Sequence, residues 1–134
     1  MTGFTTYPTS DVPTLALVRL DDRELGVHRV TSNTTHNLVI PPIPVPGGDS
    51  TTPAWEALYP AGSINPGNKT SPAGGFGLYL RGPPSFADAL KELGNHAEVV
   101  FTYSVLFENN FQFVKGGKLP GICEYTLCNM RRLG

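Results

Sequence analysis

Glu98-Val99-Val100-Phe101-Thr102-Tyr103-Ser104-Val105-Leu106-Phe107 decides the fold class of this chain. β-Branched and aromatic side chains dominate it, no Pro or Gly interrupts it, and its side chains sort with a period of two. Val99, Phe101, Tyr103, Val105 and Phe107 share one face, and Val100, Thr102, Ser104 and Leu106 share the other. The stretch predicts the strongest strand of the chain. Phe111 and Phe113 resume the alternation after an Asn109-Asn110 turn.

Upstream of it the same signals recur at shorter length. Residues 14–20 read as a strand that ends at an Asp21-Asp22 turn. Residues 25–30 read as a second, with Leu25, Val27 and Arg29 against Gly26, His28 and Val30. Leu38-Val39-Ile40 is an apolar patch, residues 54–59 form a strand around Trp55, and residues 75–80 alternate Phe76, Leu78 and Leu80 with Gly77 and Tyr79. The run Pro41-Pro42-Ile43-Pro44-Val45-Pro46-Gly47-Gly48 cannot donate to a central ladder and reads as an extended loop. One helix is predicted. Ser85 is its N-cap, Phe86, Leu90 and Leu93 line one face, and Gly94 stands at the C-terminal left-handed position. No internal repeat occurs. The pattern predicts a mostly β chain, a jelly roll or β-sandwich with one short helix.

The 134 residues and 14.4 kDa fit a single domain spanning residues 1–134. A net charge of −1 and a pI near 6.3 exclude the basic field that nucleic acid requires. No run approaches the roughly 18–20 apolar residues of a membrane span. The N-terminal residues lack the basic and apolar regions of a signal peptide. High Gly and Pro content and the sequons Asn33-Thr34-Thr35 and Asn68-Lys69-Thr70 nevertheless suit an extracellular β domain. Cys123 and Cys128 form a C-x4-C pair with no further ligands beside it, so a structural zinc site is not expected. A local disulfide and two free thiols both fit that spacing.

Chemistry concentrates in Lys115-Gly116-Gly117-Lys118-Leu119-Pro120-Gly121. A Gly-Gly pair lets backbone approach a ligand closely, and flanking lysines neutralise a carboxylate. In a partly dry cleft a lysine beside another cation can also serve as a base. A hairpin turn with solvated lysines is the alternative reading of the same residues. Gln112 lies opposite Phe111 and Phe113 and can touch sugar, while Trp55 and Tyr59 can stack on sugar rings or be buried in the sandwich. His28 is a lone histidine on a short strand, and His36 and His96 read as solvated loop residues.

Val105-Leu106-Phe107, Phe111-Gln112-Phe113-Val114 and the Lys-Gly-Gly-Lys-Leu-Pro-Gly core together resemble the signature of family-14 polysaccharide lyases, which include alginate and glucuronate-directed lyases. Tyr59-Pro60-Ala61-Gly62-Ser63 and Gly74-Gly75-Phe76 are similar to segments of fungal relatives, and the resemblance covers roughly residues 50 to 121. It implies a β jelly roll that cleaves an anionic uronate polysaccharide by β-elimination, with no metal or other cofactor. It implies catalytic roles for Lys118 and, second, Lys115, and substrate contacts from Gln112, Gly116, Gly117, Trp55 and Tyr59. The expected molecule is an extracellular monomer that binds neither nucleic acid nor membrane. Residues 122–134 depart from the family pattern, which continues into a Gly-rich segment and a Tyr-x-Tyr pair. The expectation is therefore a chain incomplete at both ends, with an atypical tail and an impaired cleft. A carbohydrate-binding jelly roll without catalysis and a non-functional fragment are the competing expectations.

Overall fold

The structure, a computed structural model, describes residues 3–8, 14–31, 34–113 and 117–123. The chain divides into two compact units, Met1–Ala97 and Glu98–Gly134.

Three short pairings organise the first unit. Strand β1 (Phe4–Thr5) runs parallel to β2 (Ala16–Leu17), and the ladder is extended when Ala16 N–H donates to Gly3 O and Val18 N–H to Thr5 O. Strand β3 (Leu38–Val39) runs antiparallel to β4 (Ala54–Trp55), in the register Leu38 opposite Trp55 and Val39 opposite Ala54. The third pairing is a bridge in which His28 and Tyr79 exchange both backbone hydrogen bonds, at 2.7 and 2.9 Å. Thr31 N–H donating to Gly77 O and Gly82 N–H donating to Leu25 O continue this contact on either side. Residues 14–20, 25–30, 54–59 and 75–80 thus hold β pairing where the sequence predicts strands, but in two-residue pieces and a single bridge, and β3 forms in the apolar patch at residues 38–40.

A turn delivers the best-buried side chain. The Asp21 carboxylate accepts from the backbone N–H groups of Arg23 and Glu24, and Asp21 O accepts from Leu25 N–H. The tightened turn drives Leu25 inward, where it is 2 % exposed and is the one fully buried large side chain among the described residues. Gly82 has φ +78, and a Cβ there would sit 2.8 Å from both Phe4 and Phe86. Its bare backbone lets those two rings meet edge-on at 5.1 Å, which docks the helix onto β1.

Helix α1 spans Pro84–Leu93 and runs into a 3-10 turn at Gly94–His96. Its start corrects the sequence reading. Pro83 is the N-cap and makes no side-chain cap, while Ser85 lies inside the first turn. Pro84 presets φ at a position whose N–H has no helical acceptor, so the proline pair rather than the serine fixes the start. Gly94 has φ +54 and ψ −133, a conformation reserved for glycine but not the left-handed helical one, and its N–H donates to Leu90 O.

The second unit departs most from expectation. Among the described residues no strand forms in 98–107. Alternation makes a segment able to pair, but a ladder needs a partner backbone in register. Phe101 and Tyr103 still keep the expected spacing, with ring centroids 5.4 Å apart, and Val100 on the opposite face is 86 % exposed. The described residues are thus mostly non-helical, with two small sheets and one short helix, as in a β fold. Among the described residues no helix is long and apolar enough to cross a membrane.

Candidate functional site

Two segments far apart in the chain are brought together in the first unit. Gly75 N–H donates to Leu58 O at 2.7 Å, and Gly74 N–H donates to Asn65 O. The Tyr59 ring then lies directly on the two glycines. A Cβ at Gly75, where φ is +71, would stand 2.5 Å from the Tyr59 hydroxyl, and one at Gly74 would collide with Ser63. Gly74 and Gly75 are both buried although neither has a side chain to bury. The Gly-Gly pair therefore exists to seat Tyr59 and Ser63, and Tyr59 itself remains 53 % exposed. Ser63 N–H donates to Pro60 O and closes the turn that carries it.

Beside this contact lies an aromatic cluster. Phe76 follows the glycine pair and meets Trp55 edge-on, with centroids 6.2 Å apart. His36 completes the group, 5.4 Å from Trp55 and 5.5 Å from Phe76. The His36 side chain is 13 % exposed, and its Nε2 lies 2.9 and 3.1 Å from the two carboxylate oxygens of Asp22. The carboxylate fixes the proton on Nε2, and Nδ1 is buried without a hydrogen-bond partner among the described residues. This overturns the reading of His36 as a solvated loop residue. No spacing signal marks it, since Leu38, two positions on, is itself 51 % exposed. Trp55 is half-buried, committed to edge contacts with His36 and Phe76.

An open groove of about 440 Å³ also lies in this unit, lined by Thr6, Leu17, Arg19, Asp49, Thr51 and Thr52 among others, and by none of the residues singled out from the sequence. Its acid is already engaged. The Thr51 hydroxyl and N–H and the Thr52 hydroxyl donate to the Asp49 carboxylate and hold it below the ordinary carboxylate value.

The second unit carries the lysine motif. Phe107, Phe111 and Phe113 form a three-ring cluster with centroids 4.8 to 5.2 Å apart, and Phe113 is 69 % exposed. Gln112 is exposed, and its side-chain amide donates to Asn110 O at 3.0 Å. Asn110 takes φ +68, so the expected turn is present and Gln112 is folded back onto it. Gly117 and Lys118 are exposed, while Lys115 and Gly116 lie outside the described residues. Cys123 is disulfide-bonded, while Cys128 lies outside the described residues. Among the described residues no three of His, Cys, Asp and Glu gather as a metal site.

A family model, Polysaccharide lyase 14, matches residues 48–127. The match takes in Trp55, Tyr59, the Gly74-Gly75-Phe76 segment, Gln112 and the whole Lys-Gly-Gly-Lys motif, and continues past Gly121 into the stretch read as atypical. No curated protein and no solved structure matches the chain.

Proposed function

This chain belongs to the polysaccharide lyase 14 family, and from that premise we propose that it cleaves a uronate-containing polysaccharide, of alginate or glucuronan type, by β-elimination. The match across the Lys115–Lys118 motif is the observation that carries the reading. The seating of Tyr59 on Gly74 and Gly75 supports it, because two of the segments that resemble the family are packed on one another. We assign the β fold to the jelly-roll type.

The reaction needs three things from protein side chains. A cation must neutralise the uronate carboxylate, which makes the proton on C5 acidic. A base removes that proton. The electron pair left on C5 forms the C4=C5 double bond as the C4–O glycosidic bond breaks, and an acid protonates the departing oxygen. Lys118 supplies the cation, with Lys115 second to it. Gly116 and Gly117 let the backbone approach the sugar, and Gln112, Trp55 and Tyr59 are its further contacts. Gln112 must release Asn110 to take that part. The disulfide at Cys123 and the Asn68-Lys69-Thr70 sequon support secretion, since disulfides persist in oxidising compartments. The protein acts as a monomer on an anionic polymer.

The test is the ultraviolet absorbance of the unsaturated product, with alginate and glucuronan as substrates. Wild type should release product, and Lys118→Ala should lower the rate by about 100-fold or more. Binding of either polymer with no product at all would sink the lyase reading. It would leave a carbohydrate-binding protein, a second reading that the exposed Phe107 and Phe113 rings favour, because sugar C–H faces stack on such surfaces.

A further inference from the structure

The groove of about 440 Å³ in the first unit has walls that hold each other in place. One wall continues β2. Val18 N–H donates to Thr5 O at 2.8 Å, and Leu17, Val18 and Arg19 line the groove. The other wall is a turn that Asp49 and Thr52 close on each other. Thr52 N–H donates to Asp49 O, Asp49 N–H donates to the Thr52 hydroxyl, and Thr52 is only 7 % exposed. The chain on either side is fastened where the Tyr7 ring lies against Gly47, close enough that a Cβ there would stand 3.2 Å from it. Walls held in this way need little ordering to accept a ligand.

Two opposite charges line the groove without pairing. Arg19 is exposed and makes no hydrogen bond or ion pair among the described residues. The three hydrogen bonds to the Asp49 carboxylate all fall on Oδ1, at 2.7 to 3.1 Å, and leave Oδ2 without a donor among the described residues. The turn uses Oδ1 and has no use for Oδ2. Leu17, 62 % exposed, adds an apolar surface beside them. The volume lies within the range of about 300–1,000 Å³ typical of small-ligand sites.

We propose that this groove binds one uronate residue of the polymer, as an anchoring site built without any residue of the lysine motif. The assignment rests on the uronate reading above and deepens it. A uronate carries a carboxylate and several hydroxyls on one ring, and the groove offers a match to each. The Arg19 guanidinium donates to the carboxylate through its planar fork. Asp49 Oδ2 accepts from ring hydroxyls, and Leu17 covers a C–H face. A neutral sugar leaves Arg19 without a counter-charge, and a cationic ligand meets it as a like charge. The lining residues from Thr6 to Leu20 lie upstream of the stretch that the family model matches.

The experiment titrates the full chain with a short oligoglucuronate up to about 10 mM, and with the neutral oligoglucoside of equal length. The Leu17 methyl and the Thr51 and Thr52 amide NMR signals are followed. The charged oligomer should move them saturably, and the neutral one should bind there at least about tenfold more weakly. Arg19→Gln should bring the charged oligomer down to the affinity of the neutral one. Asp49→Asn can keep the turn contacts through its amide oxygen, but it replaces an acceptor with a donor and should weaken both oligomers severalfold. The Thr51 and Thr52 signals of the ligand-free variants report whether the turn survives. If Asp49→Asn disrupts it, Arg19→Gln decides, since Arg19 takes no part in the turn. Unmoved signals, equal affinity for the two oligomers, or wild-type affinity in Arg19→Gln overturns the site even if wild type releases unsaturated product. Signals that move with the charged oligomer and weaken in Arg19→Gln uphold the site even if no polymer is cleaved, in which case the lyase reading alone fails.

Discussion

Gly75 shows how much a missing side chain can determine. Its φ of +71 suits glycine, and the Tyr59 hydroxyl occupies the space a Cβ would need. Gly75→Ala meets both obstacles together, and the expected loss is about 1–3 kcal/mol in a denaturant titration. Gly62, also at positive φ, has nothing within 4 Å of such a Cβ. Gly62→Ala therefore reports the backbone cost alone, and an equal loss in both variants would show that the Tyr59 seat has no energetic weight. The sequence marks this glycine pair only by resemblance to a family. No spacing rule says which ring it accommodates, because the partner lies many residues away. His36 is a second such case, because nothing in its spacing points to the acid that holds it, Asp22.

At the level of elements, local chemistry was the readable part. The helix lies where apolar spacing places it, because Phe86 must cover Phe4 and the proline pair forbids an earlier start. Its caps were misread: Ser85 satisfies the compositional rule but stands two positions past the cap at Pro83, and Gly94 does not take the left-handed helical conformation. A capping serine is worth about 1 kcal/mol. Ser85→Ala should instead shift stability by less than about 0.5 kcal/mol, and a larger loss in thermal melting would restore the serine as the cap. The long alternating stretch at 98–107 marks the limit of such reading. Period two specifies which side chains share a face, and Phe101 and Tyr103 obey it. It does not supply the neighbour whose carbonyls and N–H groups complete a ladder.

Across the molecule, stability is unevenly distributed. Leu25 is 2 % exposed, whereas Val100 is 86 % exposed and Leu106 51 %. Leu25→Ala should cost about 2–5 kcal/mol and lower the melting temperature of the first unit, while Val100→Ala should stay within about 0.5 kcal/mol. Similar losses from the two would mean that Val100 is covered in solution. The β class was legible because it depends on alternation and turn residues along the chain. The pairing order was not, because His28 with Tyr79 and Leu38 with Trp55 are contacts of large sequence separation.

The tie between Leu58 and Gly75 has one more consequence. It fastens together the two ends of the excursion that carries Lys69, an exposed residue well inside the closed loop. Trypsin cutting after Lys69 would therefore divide the polypeptide without freeing either new end from its anchor. Extra residues spliced in at the same point would add only the slowly growing, logarithmic entropy of a longer ring. That excursion is where the chain can be nicked, lengthened or fused to a reporter while Tyr59 keeps its place.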